Sequence, residues 1–412
     1  MSSTVLAPMA PSERIDSLDV LRGLALLGIA LMNVEYFTAP LVGMEQGIGA
    51  GQRGVDWLAD AFVYVFVRGK FWTLFSLLFG MGFAIMLDRA RSAGRSFAPL
   101  YLRRTFGLLV IGLAHAWLIW AGDILVSYAI TAVVLLFRRT ATGDLWKWGA
   151  GLWAVPVGVM LLGGAAMMLD GNVASGPDAV QGAVAVEALR DAEVAAYSAG
   201  SYAQATAVRW RYFAHVLGFN VFLVPLVLGM FLLGAWLVRS GAIGRPQAHR
   251  RLWVSLAWSG GLAGLALTAA SLAIDSDPGG TRPSGEQVVA MTLHMAGAPL
   301  MALAYVAVVV LALHRAAWLR VFAPAGRMAL TQYLAQSVIG TLVFYGYGLG
   351  LWGGVSRAWQ VIGVLLVFGA LLLVSHWWLG RFRYGPLEWL WRAFTYWQRP
   401  PMRRSIPAGR LQ

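Results

Sequence analysis

Long apolar runs recur along almost the whole chain, and they restrict the possible fold more than any other feature. A helix needs about 20 mainly apolar residues to cross the hydrocarbon core of a bilayer. Because no water reaches that core, every backbone polar group must be paired within the protein, so only helices and closed barrels span membranes. The runs have helical length, and they predict an all-α, polytopic transmembrane helical bundle.

The composition excludes several other classes of protein. Of the 412 residues, 59% are apolar and only 12% are charged, whereas an ordinary soluble domain has about 25% charged residues. A soluble enzyme, a disordered chain and a nucleic-acid-binding domain are therefore excluded. The absence of cysteine excludes disulfides and cysteine-based metal sites. We expect membrane lipids as partners, no nucleic acid, no metal and no tightly bound cofactor.

Ten of the apolar runs predict spans. They cover residues 17–36, 70–88, 102–121, 124–138, 146–169, 213–239, 251–274, 287–313, 328–349 and 358–380. Residues 56–69 are expected to form an interfacial helix, because Asp56, Asp60 and Arg68 disfavour full burial.

The remaining segments complete the predicted domain organisation. Residues 1–380 form the bundle, with 170–208 as a cap outside the membrane, and residues 381–412 form an interfacial helix with a basic tail. The aromatic residues of this tail alternate with arginines, which is typical of a helix in the headgroup layer. A plain membrane anchor and a cytoplasmic lid over a ligand both fit this composition.

The basic residues predict the orientation of the bundle. In the ten-span arrangement, 23 of the 32 lysines and arginines fall in the loops and tails of one side and eight on the other, with Arg22 inside a span. The positive-inside rule assigns the basic side to the cytoplasm. Both termini are then cytoplasmic, residues 170–208 lie outside, and the expected location is the bacterial cytoplasmic (inner) membrane.

Three polar residues follow one line along the first span. Asp19 and Arg22 are three residues apart and share a helix face, and Asn33 lies eleven residues after Arg22, close to the same line. Ionisable groups inside a bilayer are costly and usually mark a site or a structural pair. A charge pair that joins helices and a polar stripe that belongs to a binding site both remain open.

The third span carries a histidine and ends near an aspartate. His115 lies about 16 Å above Arg104 along a helix, near the membrane midplane. Asp123 follows in the turn after the span, where it is expected near the outer surface. On one continuous helix the two would be about 12 Å apart, so a direct hydrogen bond requires a kink. His115 is a candidate base or a packing histidine, and Asp123 is its catalytic partner or a turn residue.

Five other polar residues are candidates for a binding or structural network. Arg68 and Lys70 lie at the outer end of the second span, where they either pair with a nearby aspartate or bind an anionic substrate. His294 enters the eighth span at a depth comparable to His115. Gln332 and Gln336 are four residues apart on the ninth span, and their default interpretation is hydrogen bonding between helices. If His115 is a base, we expect its cavity to reach both surfaces.

The same cavity is expected to be lined by Asn33, His294, Gln332 and Gln336, because intramembrane polar groups converge on the bundle interior.

Four segments of the sequence resemble the YeiB family, polytopic membrane proteins that contain a domain of unknown function. The segments are GKFWTLFSLLFGMG (69–82), GLAHAWLIWAGDIL (112–125), GRMALTQYLAQS (326–337) and GPLEWLWR (385–392). This resemblance covers nearly the whole chain.

The first span also resembles a broader group. Its Asp19-x-x-Arg22-Gly23 pattern, followed by Asn33, is similar to the opening of the transmembrane acyltransferase superfamily, which includes heparan-alpha-glucosaminide N-acetyltransferase and the acyltransferase type 3 family. The resemblance implies transfer of an acyl group from a cytoplasmic donor such as acyl-CoA to a small-molecule, glycan or lipid acceptor at the outer side.

One residue of that group has no counterpart here. The heparan enzyme carries its catalytic histidine after the first span, and residues 34–54 of this chain contain no histidine. His115 is the substitute that depth and chemistry favour, since a histidine near neutrality can both accept and donate a proton. A transporter or lipid-handling protein without catalytic chemistry is the alternative, because a ten-span bundle with polar midplane residues fits it equally well.

Overall fold

The computed structural model describes residues 15–42, 47–49, 51–94, 96–136, 141–169, 177–274 and 284–404, and the regular elements in them are helices. The α-helices are α1 Asp16–Thr38, α2 Gly54–Phe66, α3 Lys70–Ser92, α4 Ala98–Ala114, α5 Leu125–Leu136, α6 Leu145–Leu169, α7 Pro177–Ser198, α8 Tyr202–Arg239, α9 Arg250–Ser255, α10 Gly261–Ile274, α11 Gly285–Ala312, α12 Ala323–Arg327, α13 Ala329–Phe344, α14 Arg357–Arg381 and α15 Pro386–Tyr396. Short π-helical turns occur at His115–Ile119 and Leu256–Gly260, and 3₁₀ turns at Thr142–Asp144 and Ala317–Phe322.

The helices have the lengths that membrane crossing requires. Eight helical segments of the described chain are long and apolar enough to span a bilayer, and the apolar helices Leu125–Leu135 and Ala329–Phe344 are shorter. Each of these ten segments overlaps one of the ten predicted spans. The protein is an all-α, polytopic helical bundle of the kind that multi-pass membrane proteins form.

The ninth span ends earlier than predicted. Its helix α13 stops at Phe344, because Tyr345 adopts an extended backbone conformation and the chain then turns through residues 346–354. Gly346 donates a backbone hydrogen bond to Tyr197 of α7, at 2.8 Å. The chain after α13 therefore belongs to the contact with the cap and does not extend the span.

Close approach of α3 and α8 forms the middle of the bundle. A Cβ atom at Gly80 would lie 2.0 Å from the backbone oxygen of Phe231, and one at Gly234 would lie 2.0 Å from that of Leu77. Glycine therefore allows the two backbones to touch, as small residues do at helix interfaces in membranes. Leu74, Leu77, Met81 and Met230 fill the surrounding core.

Ion pairs show which helix ends lie together. Arg239 at the end of α8 is 3.6 Å from Asp88 of α3, and Arg320 is 3.5 Å from Asp16 at the start of α1. We call this the basic end. The opposite, or cap, end carries α7, whose Leu189 packs with Trp120 and other apolar residues in one cluster.

The expectation that Asp60 and Arg68 avoid burial is wrong. Helix α2 continues into α3 through a turn at Gly69, whose φ of 79° favours glycine. Asp60 and Arg68 are both buried. Burial is tolerated because each has an oppositely charged partner, Arg357 for Asp60 and Glu35 for Arg68.

Candidate functional site

A break in the helix after α4 brings His115 and Asp123 into contact. The π turn His115–Ile119 is closed by a hydrogen bond from the Trp120 amide to the His115 carbonyl. Trp120 then adopts an extended conformation, and the chain reverses direction before α5 begins at Leu125. The His115 Nδ1 and Asp123 Oδ2 atoms are 2.7 Å apart, and at most 1% of either side chain is exposed.

The hydrogen bonds of this pair orient the imidazole. Asp123 Oδ1 accepts the Val126 amide at 2.8 Å, so the carboxylate also caps α5. An ionised carboxylate can only accept, so the proton of the 2.7 Å bond lies on His115 Nδ1. Within the described chain, His115 Nε2 has no hydrogen-bond partner. In its neutral form, an imidazole that donates from Nδ1 presents an unprotonated Nε2, as a general base must.

The turn that carries Asp123 lies at the cap end and is covered by other parts of the protein. The Asp123 side chain is buried, and so are the neighbouring Trp120 and Ala121. They are buried because α7, the start of α8 and the end of α13 cover the turn with apolar side chains such as Leu189 and Phe344. The pair is thus enclosed at the cap end.

A cavity of about 270 Å³ extends from the basic end into the bundle. On α3 its lining includes Arg89 and Phe75, which are about 21 Å apart along a helix. Six arginines and two carboxylates line it in the described chain: Arg22, Arg89, Arg104, Arg327, Arg383, Arg392, Asp19 and Glu388. The rest of the lining is mainly apolar and aromatic, so the cavity joins a positively charged entrance to an apolar interior.

The inner part of this cavity lies next to the His115–Asp123 pair. Ile124 and Leu125, which directly follow Asp123, line the cavity, and so does Tyr333. The ring centroids of Tyr333 and His115 are 5.1 Å apart. His115 is not among the lining residues, so Tyr333 is the residue that both lines the cavity and contacts the imidazole.

Helix α15 covers the entrance of the cavity. The Trp391 indole N–H donates to the Arg104 carbonyl at 2.8 Å, and the Arg104 guanidinium lies 3.8 Å from the centre of the Trp391 ring. Glu388 accepts hydrogen bonds from the Leu330 amide and the Thr331 hydroxyl, each at 2.6 Å. Burial raises the pKa of the Glu388 carboxyl, and these hydrogen bonds oppose the rise. The aromatic tail therefore contacts the cavity directly.

The polar stripe predicted along α1 is divided in the structure. Arg22 Nη1 and Asp19 Oδ1 are 2.6 Å apart and line the cavity, with 27% and 13% of their side chains exposed. Asn33 is buried and does not line this cavity. The charged pair belongs to the entrance, whereas Asn33 lies about three helical turns after Arg22 along α1.

Arg68, Lys70 and His294 form part of a separate network at the cap end. Lys70 Nζ donates to the Tyr64 carbonyl at 2.9 Å and lies 3.3 Å from His294 Nε2. Arg68 pairs with Glu35, whose other oxygen is 3.0 Å from Arg357. The ion pair that Arg68 makes is with Glu35, a partner other than the aspartates expected from the sequence.

Gln332 joins two helices, as its default interpretation predicts. Its side-chain amide donates to the Leu371 carbonyl at 3.0 Å and to the Ser375 hydroxyl at 2.5 Å. The expectation that Asn33, His294, Gln332 and Gln336 share one cavity with His115 does not match the structure, since none of them lines the described cavity. Helix packing separates residues that lie at similar depths in the membrane, because depth does not determine which helix face points inward.

Sequence reasoning missed several residues that the structure brings to these sites. Glu35 and Arg357 are 322 positions apart, and only Glu35 offered a signal, as an acidic residue near the end of the first span. Glu388 stands between apolar residues in GPLEWLWR, and an acidic residue in such a tail was a recognisable signal for a buried contact. Tyr333 had no signal of its own.

Two known proteins match the chain over almost its whole length. It is 35% identical over 418 residues to "Uncharacterized protein YxaH" of Bacillus subtilis (strain 168), covering 95% of this chain and 97% of that protein. It is 30% identical over 399 residues to "Uncharacterized protein YeiB" of Escherichia coli (strain K12), covering 93% and 96%. The chain belongs to the YeiB family. Residues 237–398 match the family model described as "Protein of unknown function (DUF418)", and no solved structure matches the chain.

The segments by which the sequence resembles the YeiB family converge on one place. Segments 69–82, 326–337 and 385–392 each contribute lining residues to the cavity. Segment 112–125 supplies both His115 and Asp123, together with the lining residues Ile124 and Leu125. The described residues contain no group of three or more histidines and carboxylates that could hold a metal ion. The cavity and the buried pair are therefore the candidate functional site of this YeiB-family protein.

Proposed function

We propose that this YeiB-family protein is an acyltransferase of the bacterial cytoplasmic membrane, which takes an acyl group from a cytoplasmic donor such as acyl-CoA. The acceptor is a hydroxyl or amine of a small molecule, glycan or lipid that enters from the cap end. One observation carries the proposal: the cavity is lined by arginines and also by Tyr333, whose ring contacts His115.

The entrance of the cavity suits an anionic donor. Six arginines line it against two carboxylates, and arginine binds phosphate groups by paired, charge-assisted hydrogen bonds. The positive-inside rule places this end in the cytoplasm, where acyl-CoA is made. The apolar interior then receives the acyl end of the donor.

The chemistry follows from the fixed imidazole. His115 Nε2 takes the proton from the acceptor hydroxyl or amine as that atom attacks the thioester carbonyl. The C–S bond of the resulting tetrahedral intermediate then breaks, and the departing thiolate leaves as a thiol with the proton that His115 carried. Asp123 keeps the ring oriented and stabilises the imidazolium between the two steps.

In the proposed reaction, the Tyr333 ring controls access of the donor to His115. It lines the cavity and contacts the His115 ring, which does not line the cavity, so in the proposed reaction this ring turns aside when the acyl carbon approaches Nε2. A closed resting state keeps water away from the thioester and keeps the two sides of the membrane separated.

The proposal is tested in cell envelopes that contain the full-length protein, with radiolabelled acetyl-CoA as donor. We expect labelled product in the envelopes, and we expect His115→Gln to lower its rate by about a hundred-fold or more. His376→Gln is the matched control, because His376 is exposed and contacts only the Val321 carbonyl among the described contacts. Uptake of label without release of free CoA would contradict acyl transfer and support a transporter.

The orientation is tested separately by chemical labelling. The chain has no cysteine, so Ala185→Cys and Ala93→Cys each introduce a unique thiol, in the cap and at the basic end. In intact spheroplasts, a membrane-impermeant maleimide should label position 185 and leave position 93 unmodified. Equal labelling of the two positions would contradict the proposed topology.

A further inference from the structure

The π turn that carries His115 is held from outside by two residues of α8. Leu118 lies within this turn, and its carbonyl accepts the Tyr202 hydroxyl at 2.8 Å and an Arg209 N–H at 2.9 Å. A carbonyl at a helix break has lost its helical partner and needs another donor. Here both donors come from the first two turns of α8, next to the cap.

Arg209 is a buried cation whose hydrogen-bond partners are neutral groups. Its side chain is 0% exposed, and in the described chain no ion pair joins it to a carboxylate. Its second terminal nitrogen donates to the Tyr347 hydroxyl at 2.7 Å. The rings of Tyr202, Tyr345 and Tyr347 surround it, with centroids 5.4 to 5.8 Å from the guanidinium carbon.

Burying the Arg209 cation costs free energy, and the hydrogen bonds of its guanidinium show which parts of the protein it holds together. The planar guanidinium bridges the turn at Leu118 to Tyr347 on the segment after α13, and its rigid fork of donors suits two acceptors at once. A movement of the turn by one residue would break these bonds together with the 2.7 Å bond between His115 and Asp123.

We propose that Tyr202 and Arg209 are positioning residues that hold the 115–119 turn in the conformation in which His115 Nδ1 binds Asp123. The inference rests on the proposed function only for the role of that pair in acyl transfer. That Tyr202 and Arg209 hold the 115–119 turn follows from their hydrogen bonds, whatever reaction the protein catalyses. It also connects the cap end, where the acceptor enters, to the orientation of the base.

The experiment follows the proton between His115 and Asp123 directly. In NMR spectra, a ring N–H that donates to a carboxylate has a proton resonance far downfield. The full-length protein is therefore labelled with ¹⁵N-histidine. The resonance that disappears in His115→Gln belongs to His115. Tyr202→Phe and Arg209→Lys should each shift or broaden it, because phenylalanine lacks the donor and lysine cannot bridge both acceptors. Where acyl transfer is measurable, we expect both variants to lower its rate by about ten-fold.

The control is Tyr305→Phe, since the Tyr305 hydroxyl also donates to a backbone carbonyl at 2.8 Å, that of Phe66 on another face of the bundle. It should leave the resonance unchanged. An unchanged resonance in both Tyr202→Phe and Arg209→Lys would overturn the inference. Lack of acyl transfer in the unmodified protein overturns the proposed function alone, because the resonance reports the hydrogen bond whatever the reaction.

Discussion

The two ends of the bundle use buried charge in different ways. At the cap end, Glu35 lies between Arg68 and Arg357, and Arg357 also contacts Asp60 at 2.9 Å, so four charges neutralise one another. At the basic end, six arginines and two carboxylates face a cavity of about 270 Å³. The comparison separates charges that neutralise one another within the fold from charges that line a cavity, where a ligand can contact them.

Loss of Arg357 should have the largest effect and should act on stability. The Arg357→Ala change leaves two carboxylates with one cation in a buried site, which costs on the order of 3–5 kcal/mol in the free energy of unfolding. Detergent titration of the purified protein measures this loss. The control is Arg250→Ala, since Arg250 is exposed, and equal stability of the two variants would contradict a closed network.

Glu193 gives a second test of the comparison between the two ends, because it is a cap-end carboxylate outside that network. It is buried, its Oε2 accepts the Val42 amide at 3.1 Å, and its Oε1 has no partner among the described residues. Burial raises the pKa of the Glu193 carboxyl to about 7. Between pH 4.5 and 7 the unfolded chain loses this proton while the folded protein keeps it, so stability falls as pH rises through that interval.

The expected loss for Glu193 is roughly 2 kcal/mol, measured as the difference in unfolding free energy between pH 5 and pH 7.5. Glu193→Gln should remove most of the difference. Glu187→Gln serves as the control, because Glu187 is exposed on the same helix. A pH dependence that survives in Glu193→Gln would show that another group causes it.

Arg22 should have the smallest effect on stability and a specific effect on binding. Its pair with Asp19 is partly exposed, so Arg22→Gln should cost less than about 1 kcal/mol in unfolding. The affinity for acetyl-CoA should fall by about ten-fold, since one charge-assisted hydrogen bond is lost. Titration calorimetry measures this, with Arg250→Gln as the matched variant. A large stability loss with unchanged affinity would place Arg22 with the structural charges.

The candidate site could be predicted only in part. His115 and Asp123 stand out in the sequence because polar residues are rare in apolar spans, yet a continuous helix would keep them about 12 Å apart. Their contact depends on the π turn at His115–Ile119. The π turn is itself held by hydrogen bonds from Tyr202 and Arg209, which lie more than 80 residues away from Leu118 in the sequence.

The sequence by itself determined that the chain folds as an all-α bundle and where its spans lie, because the length and polarity of an apolar run are local properties. Only the tertiary structure decided which polar groups meet. Lys70 and His294 share one contact, Gln332 bonds to α14, and Asn33 remains apart from the cavity. These outcomes depend on how each helix is rotated against its neighbours, and that rotation is set by packing between residues far apart in the chain.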